Sequence, residues 1–558
     1  SPFQAHSPPV SEPRSHPARV AEAGSGPVEA SLGHVLSGRP IIRHLVPAVV
    51  LAAALLWAPW PFGSVVPWAA AVVAVAGPLA LVAGLFAGAR VSSLAPVALP
   101  AAALVLLALV GVLQSVSWPA AVAGALSPEH VRLAREARAA LDPGPAPTSE
   151  RDSERAKERQ AGGTPDGDTA SVPLSLAPAV SRRTAILMAS FAAALLAAAL
   201  AGRQRQGRRL LAATLLVAAL AQILYGAPRW FARSRTLWDV PIPGSDRLRG
   251  TFVNPNHFAL LLEIALAVTF AWGWWALRRA RREPSAERKI GRLAPPALVW
   301  LTLFVALVFS GSRAGLAAAV GATVVQGLAF ALLGSGRRGR TAAGLGRGTV
   351  RRVLLWAAAV GVLLAVGVAA VLMTGGQAGV ARFTINPGYD LAVGVRSAVY
   401  RSTLGLWRRF PWTGTGLGTF LEAFPLSDGP DLGLTWWHAH CDPLELLATT
   451  GVVGVLLLVV GAAALGLRLL RRLLEVRHSE ERAALVAGLG ALVAAGLHEM
   501  VDFGLTMPAD ALALVVVVGA AAAALEPRRR DHRAKDGDSN ATGPGQTRSP
   551  ETVLSVRR

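Results

Sequence analysis

The sequence predicts an all-α integral membrane protein, and three observations carry that reading. Of 558 residues, 53% are hydrophobic, and the mean hydropathy is +0.45; apolar runs of this density leave too little polar surface to cover a soluble fold. The runs recur at roughly 17 to 25 residues, the length that crosses a bilayer as a helix, and they number about twelve. The formal charge of +21 would point to nucleic acid in a soluble chain. Here most arginines fall in short clusters between apolar runs, where the positive bias of the inner membrane face accounts for them, so no nucleic-acid partner is expected.

The elements follow in order. Residues 1–40, rich in Pro, Ser, Ala and Arg, read as a disordered cytoplasmic lead without a cleavable signal design, so the first apolar run is expected to stay as an anchor. A polytopic domain at 41–525 then carries spans near 44–60, 66–89, 95–118, 184–202, 210–228, 257–277, 295–311, 314–334, 351–373, 446–468, 484–505 and 509–525. Residues 119–183 interrupt the early spans as a short amphipathic helix and a flexible loop, and residues 374–445 form a large loop between the ninth and tenth spans. The charged tail 526–558 reads as disordered. Basic clusters at 203–209, 278–292, 337–352, 468–482 and 528–535 share one side if both termini are cytoplasmic. The segments 119–183, 229–256, 312–313, 374–445 and 506–508 then face outward. Arginines left on that side, Arg247, Arg249, Arg313, Arg396, Arg401, Arg408 and Arg409, are unexplained by topology.

Five outward stretches draw attention. Around Arg249, the run Gly250-Thr-Phe-Val-Asn254-Pro-Asn256 sets a guanidinium beside amides, a donor set suited to a diphosphate, though a headgroup-anchoring arginine with an Asn helix cap reads the same. Arg313 sits in a turn of almost no length between two spans, where an arginine is costly unless it meets an anion or a polar cavity. From Arg396 to Pro411, bases including Arg401 alternate with Val399, Leu406 and Phe410, as in a helix at a bilayer surface. The run Gly414-Thr-Gly416-Leu-Gly418 lacks any strand-to-helix context for a nucleotide loop and reads as a tight turn under a ligand.

The fifth stretch is His438-Ala-His440-Cys-Asp442-Pro-Leu-Glu445. Imidazole has the basicity for proton removal near neutrality, and an adjacent carboxylate can fix its tautomer; histidines that merely cap a helix are the alternative. The i, i+2 spacing and the absence of a third soft ligand argue against a metal. Cys441, the only cysteine, excludes an intramolecular disulfide and a thiolate cage. His498 and Asp502, near the end of the eleventh span, are expected to be paired and to support the site, since buried ionisable groups there are expensive.

At these residues the chain resembles the O-antigen ligase family of bacterial membrane glycosyltransferases, which includes O-antigen polymerases and protein O-oligosaccharyltransferases. The resemblance runs in order through Gln114 with Trp118-Pro119, the stretch Arg249 to Asn256, Ser312-Arg313, Arg396, Gly414 to Phe420, His440 to Glu445 with Gly451 and Gly454, and His498 with Asp502-Phe503 and Pro508. It implies a GT-C-like helical fold with a periplasmic site in the bacterial inner membrane. It further implies a donor glycan on undecaprenyl diphosphate, and inverting transfer without metal or other cofactor. The acceptor would be a glycan, lipid A core or protein hydroxyl. By the resemblance His440 is the catalytic base, with His438 able to share or replace the role. Arg249, Arg313 and Arg396 surround the diphosphate with Arg401 near them, and Asn254, Asn256, Asp442, Glu445, His498 and Asp502 support. Where the family usually has Asn and an aromatic residue after the histidine, this chain has Cys441 and Pro443. The rival reading is a transporter or flippase of an anionic lipid-linked substrate, which needs the arginines but no base; internal repeats and broken midplane helices, its usual marks, are not evident in the sequence.

Overall fold

The structure, a computed structural model, describes residues 39–141, 171–242, 247–334, 391–427 and 435–526, with the single positions 351, 361, 365 and 429. Two compact units divide between Arg43 and His44; of the first, only the opening turn of a helix is described. The second unit is helical. Its elements begin with α1 (Arg39–Trp57, which starts in the first unit), α2 (Pro67–Phe86), α3 (Ala98–Ser115, led in by a 3-10 segment Val91–Val97), α4 (Ala120–Leu126) and α5 (Pro128–Leu141). They continue with α6 (Pro178–Gly202), α7 (Arg205–Phe231), α8 (Pro255–Ala280), α9 (Ala286–Phe309) and α10 (Arg313–Gly334). The last are α11 (Leu391–Arg409), α12 (Phe420–Ala423), α13 (Asp442–Glu475), α14 (Ser479–His498) and α15 (Pro508–Ala522). Two short antiparallel pairs accompany them: β1 (Ser117–Pro119) with β2 (Ser171–Pro173), and β3 (Thr236–Leu237) with β4 (Val240–Pro241).

Among the described residues, 10 helices are long and apolar enough to cross a membrane: α2, α3 with its lead, α6 to α10, α13, α14 and α15. This is a multi-pass membrane protein. Of the about twelve spans expected from run length, the first appears as the shorter apolar helix His44–Trp57, and the run at 351–373 lies outside the described residues. The eleventh span stops at His498 rather than 505, because the chain turns there around Asp502 and Phe503. The amphipathic helix expected after Pro119 is α5; residues 142–170 lie outside the described residues, and the strand that follows them is tied to β1 with Trp118 opposite Val172.

Two helices organise the bundle. In α8, 78% of the most apolar window is buried, against 22% in α13, so α8 is a central helix and α13 a peripheral one. It packs on α9, α10 and α14, while α6 packs on α2, α3 and α15. Water gives no driving force inside a bilayer, so helices associate there by close packing, which small residues permit. The alanine-rich second half of α6, with Ala194, Ala197, Ala198 and Ala201 wholly buried, lets neighbours approach to backbone distance. A methyl group placed on Gly519 of α15 would stand 2.6 Å from the Leu195 carbonyl oxygen of α6. One amide cross-links the other half: Gln326 of α10 donates to the carbonyls of Ala267 on α8 (2.9 Å) and Val486 on α14 (3.0 Å).

The consequence for function lies at one end of this bundle. There the N-termini of α8, α10 and α13 meet the C-termini of α9 and α14, joined by side-chain bonds between their connecting turns.

Candidate active site

The segment before α8 is built by its polar side chains. Gly250 takes φ +57, a left-handed turn that glycine adopts without cost. The Gln222 side chain on α7 accepts the Thr251 backbone N–H at 2.8 Å, and the Thr251 hydroxyl donates to the Pro59 carbonyl at 2.6 Å. Asn254 then caps α8 by accepting the N–H of Asn256 at 2.9 Å. Arg249 is buried, gives one N–H to the Val253 carbonyl at 3.1 Å, and is pushed down from its ordinary pKa by burial.

Arg247, not among the residues assigned to the site from sequence, makes the longer reach. Its Nε donates to the Ser310 carbonyl at 2.6 Å, and its Nη2 donates to Asn256 Oδ1. Asn256 Nδ2 donates in turn to Asp502 Oδ2. The chain Arg247–Asn256–Asp502 therefore ties the α9–α10 turn, the start of α8 and the turn after α14 together. Arg313 stands exposed at the first position of α10, next to Ser312, whose hydroxyl accepts the Gly315 N–H at 3.1 Å.

Below this layer, His498 is wholly buried and bonds Glu263 of α8 at 2.7 Å through Nδ1, with its Nε2 3.9 Å from Asp502. The backbone N–H of Asp442 donates to the carbonyls of Glu499 (3.1 Å) and Asp502 (3.0 Å), so the first turn of α13 is seated on the end of α14. Burial, with the Asp442 carboxyl beside it, holds Glu499 well above the usual carboxylate range. As expected from their cost, these ionisable groups are paired and lie behind the polar surface.

The two histidines sit just ahead of α13. His438 Nδ1 lies 3.0 Å from Glu445 Oε1 and 3.3 Å from Oε2, and Glu445 Oε2 also accepts the Ala439 N–H at 2.9 Å. His440 has φ +55, a left-handed conformation rare for a residue with a side chain. Its carbonyl accepts the Tyr400 hydroxyl at 2.8 Å. Burial and then the Arg396 guanidinium push the His440 imidazole down to about 4. Arg396 and Tyr400 are one turn apart on α11, and Arg396 also donates to the Val501 carbonyl at 3.3 Å. Arg401, the next residue round the helix, is exposed and belongs to a different face.

Phe503 is the hub. Its ring stacks on His438 (centroids 4.3 Å, interplanar angle 17°) and meets the rings of His440 (4.7 Å, 85°) and His257 (4.6 Å, 82°) edge-on. The site thus brings together His438, His440, Glu445, Arg396, Asp502 and Asn256. Arg249 is bonded to its own loop, and Asn254 serves as a cap. Arg247, His257 and Tyr400 carry no role assigned from sequence: Arg247 and Tyr400 lie within outward segments and His257 directly after one, but single residues carry no spacing signal. Among the described residues no three His, Cys, Asp or Glu side chains are grouped to hold a metal ion.

The glycine run corrects an expectation. Gly414, Gly416 and Gly418 all have positive φ, as a tight turn requires. What lies on them is protein, not ligand space: a methyl on Gly414 would strike the Thr449 carbonyl group of α13, and methyls on Gly416 and Gly418 would strike Ser175 and Thr184. Gln114 locks the turn, its amide donating to the carbonyls of Thr413 (2.6 Å) and Thr449 (3.0 Å) and accepting from Leu417 N–H (2.9 Å). Arg409 is structural too, since its guanidinium binds Glu129 of α5 at 2.5 Å and the Leu426 carbonyl.

Fold and site together define a multi-pass membrane protein whose helix ends assemble arginines, amides and a histidine pair around one polar face. The family model described as O-antigen ligase matches residues 297–459. The matched stretch runs from within α9 to within α13 and includes Arg313, Arg396, Arg401, His438, His440, Asp442 and Glu445. Arg249, Asn254, Asn256, His498 and Asp502 lie outside it. No curated protein matches the chain. At family level the match supports a membrane glycosyltransferase acting on a lipid-linked glycan and an acceptor.

Proposed function

We propose that the protein transfers a glycan from undecaprenyl diphosphate to an acceptor hydroxyl at the extracytoplasmic face of the bacterial inner membrane, as an O-antigen ligase or polymerase does, on a GT-C-like helical frame. The observation that carries the proposal is the meeting of Arg396 with His440, next to the His438–Glu445 pair, inside the family-matched segment. A prenyl diphosphate is already a good leaving group. What remains is to stabilise the charge that develops on it and to remove the acceptor proton. Arg313 and Arg396, with the buried Arg249 in the loop before α8, supply positive charge. Three helix N-termini at the same end add partial positive charge. The histidine pair supplies the base, and transfer inverts the anomeric centre without metal.

The test is glycan transfer by purified protein in proteoliposomes, from an undecaprenyl-diphosphate glycan to a panel of glycan, lipid A core and protein acceptors. Transfer to at least one acceptor, unaffected by a chelator, is expected, and the acceptor used names the subclass. The flippase reading draws on the ionisable groups buried inside the bundle, Glu263, His498 and Asp510. Lipid crossing without transfer to any acceptor would replace the proposed function with that one.

A further inference from the structure

We infer that His438, backed by Glu445, is the group that takes the acceptor proton, and that His440 is a positioning residue beside Arg396. The inference rests on the transfer reading above and departs from the family resemblance, which points to His440 as the base.

A general base needs an accessible lone pair, a fixed tautomer and a partner that stabilises its charged form. His438 meets all three conditions. Its side chain is 24% exposed, against 10% for Glu445, so the imidazole is reachable and the carboxylate is set behind it. Nδ1 faces the carboxylate, which is itself fixed by the Ala439 N–H, so the Nδ1–H is donated to Glu445 and the lone pair resides on Nε2. The stack on Phe503 holds the ring plane. Burial pushes the imidazole down, but Glu445, with Asp442 and Asp502 further off, overcomes this and the net shift is upward.

His440 is partly exposed as well, but among the described residues no carboxylate bonds its ring to fix a tautomer. Its Nδ1 is buried and has no hydrogen-bond partner among the described residues. Around the ring, Asp502 and Glu445 favour a proton while Arg396 and His438 oppose it; with burial the balance falls to about 4, so the ring is neutral at neutral pH. Its strained backbone and the Tyr400 bond to its carbonyl instead fix the bend that aims His438 and seats Arg396 close by. In the step, the acceptor oxygen forms a bond to the anomeric carbon as the bond from that carbon to the diphosphate oxygen breaks. The electron pair leaves with the diphosphate, and the acceptor proton passes to His438 Nε2.

The experiment measures pH–rate profiles in the same proteoliposomes for wild type, His438→Gln, His440→Gln and Glu445→Gln. Imidazole titrations by NMR on histidine-labelled protein are recorded in parallel. The rate falls on the acid side as the base is protonated. Loss on the order of 10²–10⁴-fold is expected for His438→Gln, with no acid limb in the residual rate. Glu445→Gln removes the group that raises His438, so both the acid limb and the His438 titration move to lower pH. His440→Gln keeps the limb where wild type has it, whatever its rate. If His438→Gln does not fold, seen by size exclusion, the limb shift in Glu445→Gln decides. An acid limb that survives in His438→Gln and vanishes in His440→Gln overturns the inference alone, as does an unmoved limb in Glu445→Gln. A wild type that transfers to no acceptor at any pH overturns the functional proposal and this inference with it.

Discussion

Replacing Gly451 by alanine is expected to be among the most damaging single methyl additions in the bundle, and the structure gives its size. Gly451 interrupts α13 with φ +65 and ψ −168, a region open almost only to glycine. Forcing a side chain into it costs about 1–3 kcal/mol. The added methyl would also strike the Trp412 carbonyl group and stand 2.8 Å from the Pro411 carbonyl oxygen. Both are backbone atoms, and the Val452 N–H holds Pro411 O in place at 3.1 Å, so they cannot swing aside. Overpacking of this kind adds roughly 1–3 kcal/mol. The total, about 2–6 kcal/mol, is a large part of the roughly 5–15 kcal/mol that holds a typical fold. Gly466 in the same helix is the control, because a methyl there meets nothing within 4 Å. Gly466→Ala should be neutral or stabilising by up to about 1 kcal/mol. Thermal unfolding of both variants in detergent, read by loss of the monodisperse size-exclusion peak, checks the pair. Equal melting of Gly451→Ala and Gly466→Ala would refute the reasoning, since the two differ only in backbone conformation and contact.

Two further outcomes follow from the arginines. Arg396→Ala should lower transfer on the order of 10²–10³-fold, the loss of one donor to developing charge, while Arg401→Ala, on another face of α11, should change it little; steady-state rates on the acceptor that wild type uses decide. At the α5–α11 contact, the Arg132 guanidinium and then that of Arg409 hold the Glu129 carboxyl down at about 2. A carboxylate depressed in this way stabilises the fold fully above its ordinary pKa of 4.5 and loses the effect as pH falls towards 2. Wild type should therefore melt above Glu129→Gln at pH 6, with the gap narrowing progressively below pH of about 4.5, measured by thermal unfolding across that range.

The membrane spans were legible because length and hydropathy are properties of a continuous segment. Arginines that the positive-inside pattern left unexplained marked several of the stretches that meet at the polar end of the bundle. What could not be read was pairing across distance. Asn256 and Asp502 are 246 residues apart, and nothing local marks one for the other. The same holds for Phe503, an ordinary apolar residue in sequence and the common contact of three imidazoles in the fold. The glycine run shows the complementary limit. Positive φ was readable from the residue type, but the body pressed against the turn is Thr449 of α13 and Ser175 and Thr184 near the start of α6, which the turn's own sequence does not name. Glu445 stood in plain view seven residues after His438, yet only the bend at His440 turns that separation into contact.

That bend and the Phe503 ring make the polar face a single mechanical part. One benzyl ring touches His257, His438 and His440, and it is carried on the turn whose Glu499 and Asp502 carbonyls hold the first N–H of α13. The three imidazoles are thus ganged: a force that tilts one must move the ring, and the ring moves the other two together with the end of α14. Rigidity of this kind lets a site made from chain segments hundreds of residues apart keep one geometry while the surrounding lipid fluctuates.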